Sequence, residues 1–248
     1  MTGDASLLGG KTVLITGASK GVGAAIACAF AQEKATLVLV GRSQEGLQEV
    51  ADRCWGVGAA LVDLQPCDLH DPAAIDKLAD AVLQKYGCID VLVNVAGVYP
   101  DNVSLLEGDL GEWMNTVWVN LDVPMRMTRL FAPAMVKKGG GCIINMGSVA
   151  AQKGVPDEAA YSASKFGIRG WSYACYEALR AHNIKVCHIM ASHIDTNMAH
   201  KQQGTRCDKV IPENMIQPED VAEAALLPLR MTAVPAEITL NKMHSAIA

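Results

Sequence analysis

The stretch KTVLITGASKGVGAAIACAF (residues 11–30) joins a short apolar run to a glycine-rich turn and then to an apolar helical segment. Glycines at a strand-to-helix turn let the backbone approach a pyrophosphate, whose charge the free N–H groups and dipole of the helix N-terminus stabilise. The spacing is G-x-x-x-G-x-G, which differs from the general dinucleotide motif G-x-G-x-x-G. Glycines alone also fit an ordinary tight turn. Their position between a first strand and a helix favours a nucleotide-binding loop.

Short apolar runs alternate with longer amphipathic segments along the whole chain. The runs predict strands at 11–16, 36–40, 60–65, 89–93, 141–146, 184–190 and 236–240. The longer segments predict helices near 21–33, 43–55, 71–86, 110–137, 158–182 and 218–230. Nearly continuous apolar runs are typical of strands covered on both faces, and right-handed crossovers make such strands parallel. The sequence therefore predicts an α/β protein, with a single Rossmann-type doubly wound parallel sheet flanked by helices in one domain, 1–248.

The composition excludes several classes of protein. Of the 248 residues 50% are hydrophobic and 19% are charged, a balance too apolar for a disordered chain. The formal net charge of −5 supplies no basic surface for nucleic acid. No apolar run is long enough to span a bilayer, and the first residues lack the pattern of a signal peptide. We therefore expect a cytoplasmic protein without nucleic-acid or membrane partners.

The eight cysteines and six histidines are dispersed along the chain. The cysteines form no C-x-x-C pair, and the histidines form no H-E-x-x-H motif. Scattered thiols in apolar surroundings are typical of small core residues in a reducing compartment. The sequence therefore predicts neither disulfides nor a metal site.

The segment 192–217 interrupts the regular alternation of strands and helices. It is long and mixed in polarity, and it contains Gly204 and Pro212. Connections of this length in an α/β domain are often binding lids. We predict that a substrate lid lies at about 192–217.

The end of the second predicted strand indicates which dinucleotide the fold selects. Folds that prefer NAD place an acidic residue there, which bonds the ribose 2′-hydroxyl. This chain has Gly41-Arg42-Ser43 instead, and Lys20 lies in the glycine-rich turn. Either cation alone is equally well explained as a solvated surface charge. Together they suit a 2′-phosphate and predict NADP(H) rather than NAD(H).

A Tyr-x-x-x-Lys pair lies near the start of the predicted helix at 158–182. Tyr161 and Lys165 are four residues apart, so both side chains lie on one helix face. Tyr and Lys residues with this spacing often occur by chance, so the pair is informative only together with the motifs that accompany it. Together these motifs resemble those of the short-chain dehydrogenase/reductase family, over about residues 1–240.

Four motifs carry the resemblance. Thr16–Gly23 resembles the family's T-G-x-x-x-G-x-G loop, and Asp68 with Leu69 follows the third strand where the family holds the adenine ring. Asn94–Gly97 resembles the N-N-A-G segment, with Val95 replacing the second Asn. The positions of the catalytic tetrad are taken by Asn120, Ser148, Tyr161 and Lys165.

The resemblance and the two cations together imply a set of site residues. The implied catalytic residues are Asn120, Ser148, Tyr161 and Lys165. The implied cofactor-binding residues are Gly17, Ser19, Lys20, Gly21, Val22, Gly23, Arg42, Asp68, Leu69, Asn94, Ala96, Gly97, Tyr161, Lys165, Ile194 and Thr196. No residue is implied to bind a metal.

The mechanism that the resemblance implies is proton transfer by a phenol. Tyr161 would give a proton to a carbonyl oxygen, or take one as phenolate in the reverse direction. Lys165 and an oxidised nicotinamide would favour the phenolate, whose formation near neutral pH needs roughly 4 kcal/mol. Ser148 would bond the same oxygen, and Lys165 would also bond the nicotinamide ribose. Asn120 would hold a water linking Lys165 to solvent, unless it only makes a local backbone bond.

The sequence departs from the family after the sixth predicted strand. The family usually has Pro-Gly there, followed by a Thr that bonds the nicotinamide carboxamide. Ala191-Ser192 replaces Pro-Gly, whereas Ile194 and Thr196 keep their places. The lost glycine predicts strain in the turn, and the lost proline frees one dihedral angle. His193 either faces the substrate or is an ordinary loop histidine.

A largely apolar wall is expected around the substrate, formed by Tyr99, Val149, Ala150, Gln152, Pro156 and Met198. The resemblance to 3-oxoacyl-carrier-protein reductases and to broad carbonyl reductases is similar in strength. Arg126 and Arg129 would suit an acidic carrier, although they also suit packing at an interface.

The expected function is hydride transfer between NADP(H) and a small-molecule ketone or secondary alcohol. The alternative is a non-enzymatic NADP(H)-sensing or scaffold protein on the same fold. The resemblance also implies a homo-oligomer, a tetramer or a dimer, in which the helices near 110–137 and 158–182 pair across two-fold axes.

Overall fold

The sheet in the computed structural model, which describes residues 6–100, 105–196 and 215–242, has seven parallel strands. They are β1 Thr12–Thr16, β2 Thr36–Gly41, β3 Leu61–Pro66, β4 Val91–Asn94, β5 Gly141–Met146, β6 Ile184–Ala191 and β7 Glu237–Leu240. The strand order is β3-β2-β1-β4-β5-β6-β7, and every neighbouring pair is parallel. The predicted doubly wound α/β fold is confirmed.

The helices follow the predicted segments closely. Within the described residues they are α1 Gly21–Gln32, α2 Gln44–Val57, α3 Pro72–Tyr86, α4 Leu110–Val117, α5 Val123–Lys138, α6 Ala159–Leu179 and α7 Pro218–Arg230. Side chains of Ser43, Asp71 and Asp109 accept N–H groups at the starts of α2, α3 and α4, which fixes where these helices begin. The predicted helix at 110–137 is divided, because a π-helical turn, Trp118–Asp122, separates α4 from α5.

Hydrophobic side chains cover both faces of the sheet, as the continuous apolar runs predict. Val13 and Ile15 of β1 point to one face, where they belong to a core with α1, α2 and α7. Leu14 points to the other face and belongs to a core with α3, α5 and α6. Burying both faces holds the helices in two layers and leaves the strand ends to form the site.

The strand order reverses direction between β1 and β4. From β1 the chain moves outward through β2 and β3, then crosses back to β4 on the other side of β1. A crevice forms at such a switch point, at the carboxyl ends of the strands. Thr16 and Asn94 end these two strands in register, so the segments that follow them meet there.

The segment at 192–217 is described only at its two ends. Ile194 and Ile216 form an isolated parallel bridge, and the Asp195 N–H donates to the Ile216 carbonyl at 2.8 Å. The two ends of the predicted lid therefore lie side by side. Residues 197–214, including Met198, are outside the described residues.

Thiols, possible metal ligands and helix hydropathy can be reported for residues 6–100, 105–196 and 215–242. The described cysteines are free thiols, and five of them are buried in the core. Within the described ranges no three His, Cys, Asp or Glu side chains are grouped to hold a metal ion. In the same ranges no helix combines the length and apolarity needed to cross a bilayer.

Candidate active site

A cavity of about 440 Å³ opens at the carboxyl ends of the central strands. Twelve of the residues expected to bind the cofactor line it: Gly17, Ser19, Lys20, Gly21, Val22, Gly23, Arg42, Leu69, Ala96, Gly97, Ile194 and Thr196. Tyr161 and Lys165 also line it. The lining includes residues that sequence reasoning missed, namely Gly41, Cys67, His70, Val95, Val98, Val119, Met146, Gly147 and Asp195.

The hydroxyl of Thr16 joins the two segments that meet at the switch point. Its Oγ1 accepts the N–H groups of Val95 and Ala96 at 3.1 and 3.2 Å. The side chain is 1% exposed, so these bonds are shielded from water. Thr16 thereby fixes the segment after β4 against the glycine-rich turn.

The glycine-rich turn packs tightly on itself and on the segment after β4, which leaves no space for a side chain at Gly17 or Gly23. Gly17 has φ +67°, and a Cβ there would lie 2.8 Å from the Ala96 Cα. A Cβ on Gly23 would lie 2.3 Å from the Gly17 carbonyl oxygen. The first turn of α1 carries no acidic residue, and no described side chain caps its N-terminus, so its N–H groups remain available to an anion. The turn therefore fits the pyrophosphate of a dinucleotide.

The two predicted phosphate-binding cations follow the neighbouring strands β1 and β2. Lys20 and Arg42 both line it and are exposed to solvent. Neither forms an ion pair within 4 Å with a carboxylate among the described residues. Arg42 lies close enough to Asp68 to lower the pKa of that carboxyl group. Both cations are therefore available to an anionic ligand.

Asp68, predicted to hold the adenine ring, lies beside the cavity and does not line it. Its Oδ1 accepts a bond from the His70 ring at 2.7 Å and from the His70 N–H at 3.1 Å. These bonds, the ring bond first, lower the pKa of Asp68. Its neighbours Leu69 and His70 line the cavity, so the segment after β3 forms this wall.

Asn94 also lies behind the cavity wall. Its Nδ2 donates to Asn145 Oδ1 at 2.8 Å, and Asn145 Nδ2 donates to Ser172 at 2.9 Å. The Oδ1 of Asn94 is buried without a hydrogen-bond partner in the described part of the chain. The side chain of Asn94 therefore braces β4 against β5 and α6, while Ala96 and Gly97 face the ligand space.

Asn120 occupies the centre of the π-helical turn. Its Oδ1 accepts the Val98 N–H at 2.8 Å, and its Nδ2 donates to the Val98 carbonyl at 2.9 Å and to Ser164 at 3.2 Å. Ser164 in turn donates to the Tyr161 carbonyl at 2.7 Å. These bonds join distant segments, so the alternative of a local backbone bond is wrong. A water-holding role stays a prediction, with both amide protons already donated.

Tyr161 is held between Ser148 and Tyr99. The Ser148 side chain lies close enough to the phenol to lower the pKa of Tyr161, and the Ser148 Oγ accepts the Ala150 N–H at 3.2 Å. The ring of Tyr99 lies edge-on to that of Tyr161, with centroids 4.8 Å apart and an interplanar angle of 62°. The phenol is therefore fixed in orientation before any substrate binds.

Lys165 lies one helical turn from Tyr161, as the spacing predicts. Its Nζ is 5.4 Å from the Tyr161 ring centroid and donates to the Met146 carbonyl at 3.2 Å. The side chain is only 7% exposed, and this burial lowers the pKa of Lys165 to about 8. Most Lys165 side chains are therefore charged at pH 7, although this pH lies only about one unit below the pKa.

The acidity of Tyr161 differs from the sequence-based expectation. Burial raises the pKa of Tyr161 to about 12, although the hydrogen bond to Ser148 acts in the opposite direction. The Lys165 ammonium group, 5.4 Å from the Tyr161 ring centroid, donates to the Met146 carbonyl rather than to the phenol. At neutral pH the phenol is therefore protonated, which suits a group that donates a proton to a carbonyl oxygen.

The departure at Ala191-Ser192 leaves no strained turn. Ala191 ends β6 in register with Leu240, and the Ser192 N–H donates to the Leu240 carbonyl at 3.1 Å. Ser192 is not among the non-glycine residues with positive φ, so the position needs no glycine. The strain expected from the lost glycine is absent, because the sheet extends through this point. Ile194 and Thr196 still line the cavity.

Comparison with known proteins supports the reading of these motifs. A family model described as short chain dehydrogenase matches residues 11–206. The chain is 35% identical over 224 residues to a D-threitol dehydrogenase of Mycolicibacterium smegmatis, which covers 88% of this chain and 85% of that protein. It is 34% identical over 223 residues to the 3-oxoacyl-(acyl-carrier-protein) reductase FabG of Thermotoga maritima, which covers 88% and 90%.

Solved structures share the fold over almost the full length. A metagenomic short-chain oxidoreductase in complex with NADP matches with a TM-score of 0.82 and 33% identity, covering 96% of this chain and 100% of that one. A variant of actinorhodin polyketide ketoreductase with NADPH matches with a TM-score of 0.84 and 30% identity, covering 93% and 95%. The matched motifs, the family model and these relatives together show that the chain belongs to the short-chain dehydrogenase/reductase family of oxidoreductases.

Proposed function

We propose that the protein transfers a hydride between NADP(H) and a ketone or secondary alcohol, with Tyr161 as general acid or base. The observation that carries this proposal is the arrangement of the cavity. The glycine-rich turn with Lys20 and the residue Arg42 follow β1 and β2, whereas Lys165 binds the last residue of β5 beside Tyr161, and all of them line the cavity. A ligand with an anionic end and a reactive end fits this arrangement.

The side chains of this chain supply the proton and the orientation. Tyr161 donates its proton to the carbonyl oxygen, and Ser148 stabilises the charge that develops there. Lys165, held by Met146, adds positive charge close to the phenol. The nicotinamide, when bound, supplies or accepts the hydride. Residues Ile194, Thr196, Ala96 and Gly97 would border it, because they line the same cavity as the glycine-rich turn and Tyr161.

Free ketones are the favoured substrate class, ahead of 3-oxoacyl thioesters delivered by a carrier protein. Arg126 forms a two-point ion pair with Asp76, at 2.6 and 3.1 Å. This pairing removes it from the basic surface that an acidic carrier would use. A thioester substrate is supported by the similarity to 3-oxoacyl-(acyl-carrier-protein) reductases, whose names state that activity.

The test is NADPH oxidation by a panel of ketones, diketones and 3-oxoacyl thioesters. The expected result is turnover of at least one carbonyl compound of the panel. Binding of NADPH without turnover on any of them would instead favour the alternative, a protein that senses NADP(H) or acts as a scaffold.

Replacing Arg42 should weaken the use of NADPH selectively. We expect Arg42→Ala to lower kcat/KM for NADPH by about 10–100-fold, since a charge-assisted hydrogen bond is worth about 1.5–3 kcal/mol. The value for NADH should change by no more than about threefold. Arg53→Ala is the matched control, an exposed arginine in α2 outside the cavity lining. Equal losses with both cofactors, or a wild-type preference for NADH, would contradict the proposed role.

We also propose a homo-oligomer, a dimer or a tetramer, formed through α4 and α6. These adjacent helices expose large apolar side chains: Leu110 (66%), Met114 (59%), Phe166 (44%) and Tyr173 (41%). Sedimentation should show a dimer or tetramer, and Phe166→Glu should shift it toward monomer by burying a charge at the interface. Trp55→Glu, at an exposed apolar residue of α2, is the control. A monomeric wild type would contradict the proposal.

The remaining elements of the proposal concern organisation and location. We propose that residues 1–248 act as one NADP(H)-binding domain, in which the segment at about 192–217 covers the substrate. The side-by-side pairing of Ile194 and Ile216 supports this arrangement of the segment. A cytoplasmic location is supported by the free thiols of the described cysteines, which suit a reducing compartment.

A further inference from the structure

A row of polar residues crosses the sheet at or near the carboxyl ends of β1, β4 and β5. Successive register pairs connect its members across β1, β4, β5, β6 and β7. In order, the row consists of Thr16, Asn94, Asn145, His188 and Glu237. Thr16, Asn94 and Asn145 have hydrogen-bond roles described above, whereas His188 and Glu237 belong to no motif of the sequence analysis.

His188 is fully buried, and its ring orientation is determined by Glu237. Its Nδ1 lies 3.3 Å from Glu237 Oε2. A carboxylate only accepts hydrogen bonds, so Nδ1 carries the proton and Nε2 is bare. Burial lowers the pKa of His188 to about 4, which keeps the ring neutral, despite the opposing effect of Glu237. Among the described residues, Nε2 has no hydrogen-bond partner.

The bare nitrogen faces the residue that precedes Ser148. A Cβ placed on Gly147 would lie 2.1 Å from His188 Nε2 and 2.6 Å from its Cε1. The imidazole therefore occupies the space that a side chain at 147 would need. Gly147 packs its Cα directly against an aromatic ring whose position Glu237 fixes.

Arg169 fixes Glu237 and reaches the far side of the same turn. Its Nε and Nη2 donate to the two oxygens of Glu237 at 2.8 and 2.9 Å. Its Nη1 donates to the Ala151 carbonyl at 3.2 Å. Although burial raises the pKa of Glu237, the bonds from Arg169 and His188 lower it below its ordinary value, so the carboxyl group is ionised.

These contacts surround the turn that carries Ser148. Lys165 binds the Met146 carbonyl before it, His188 packs on Gly147 next to it, and Arg169 binds the Ala151 carbonyl after it. We propose that Arg169, Glu237 and His188 are positioning residues, which hold the turn 146–151 so that Ser148 meets the Tyr161 phenol. The proposal rests on the proposed function, in which Ser148 and Tyr161 bond the same substrate oxygen.

A double-mutant cycle between Glu237 and Ser148 tests this coupling. We expect Glu237→Gln to lower kcat by about tenfold with KM for NADPH unchanged, within the range of coupled neighbours. In a Ser148→Ala background the same substitution should lower kcat by about twofold or less. A general loss of structure would lower kcat by the same factor in both backgrounds, and that result would overturn the proposal. Full activity of Ser148→Ala alone would refute the role of Ser148 in the proposed function instead.

A steric pair of variants tests the proposal independently of Ser148→Ala. Gly147→Ala should lower kcat by about 100-fold, because its methyl group collides with His188 and displaces the turn. Adding His188→Ala should restore kcat to within about threefold of the His188→Ala single variant. Failure of this restoration, with normal thermal unfolding, would also overturn the proposal. Asp76→Asn, which breaks the two-point pair with Arg126, is the matched control and should leave kcat unchanged.

Discussion

Tyr161→Phe should lower kcat for carbonyl reduction by about 10³–10⁴-fold, the contribution of a well-placed general acid. The substitution removes only the hydroxyl group, so the edge-on ring contact with Tyr99 is retained. Because burial raises the pKa of Tyr161 to about 12, the wild-type phenol is protonated at neutral pH and ready to donate. The hydride acceptor carbon is untouched by the change, so the loss appears in turnover alone.

The affinity for NADPH separates this effect from a structural one. Fluorescence titration should give a Kd within about twofold of the wild type. Tyr176→Phe, on the same helix and packed against the core, removes a hydroxyl outside the cavity and serves as the control. Retained turnover in Tyr161→Phe would show that another group delivers the proton.

Lys165→Met should produce a more stable protein that is nearly inactive. Burial lowers the pKa of Lys165 from 10.5 to about 8, which corresponds to about 3 kcal/mol. Methionine removes this cost but loses the hydrogen bond to Met146, worth about 1 kcal/mol. We expect the free energy of unfolding without cofactor to rise by about 2 kcal/mol at pH 7, and kcat/KM to fall by about 10³-fold.

The difference in stability between Lys165→Met and the wild type should depend on pH. Because the folded pKa of Lys165 is lowered, the native protein loses this proton at about pH 8 and the unfolded chain only at about 10.5. Wild-type stability therefore gains from this group as pH rises from 8 to 10.5, and the advantage of Lys165→Met shrinks over the same interval. Denaturant unfolding of the wild type and of Lys165→Met at several pH values measures the wild-type stability and the advantage of the variant. A less stable variant, or an advantage independent of pH, would contradict the account.

The fold could be predicted from the sequence because its signals are local. Most strands are runs of mainly apolar residues, and Ser43, Asp71 and Asp109 mark the helix starts with their own side chains. The glycine-rich turn was equally readable, since Gly17 and Gly23 are required by the backbone of the turn itself. These features depend on neighbours along the chain, which a sequence pattern contains.

The parts of the site that escaped prediction depend on residues far apart in sequence. Asn120 bonds Val98, and His188 bonds Glu237, through pairings that exist only once the loops and the strand register are formed. The raised pKa of Tyr161 likewise follows from burial, which spacing relative to Lys165 does not reveal. The π-helical turn around Asn120 left no signal in the apolar pattern of 110–137.

The central claim is direct hydride transfer from NADPH to a carbonyl carbon in this cavity, and isotope transfer tests it most directly. The wild-type protein is given NADPH that carries deuterium at the transferable position of the nicotinamide, together with a ketone from the panel. We predict that each NADPH oxidised leaves one deuterium on the carbinol carbon of the alcohol. NADPH oxidation without deuterium in the alcohol, or no oxidation by any carbonyl compound despite NADPH binding, would contradict the account.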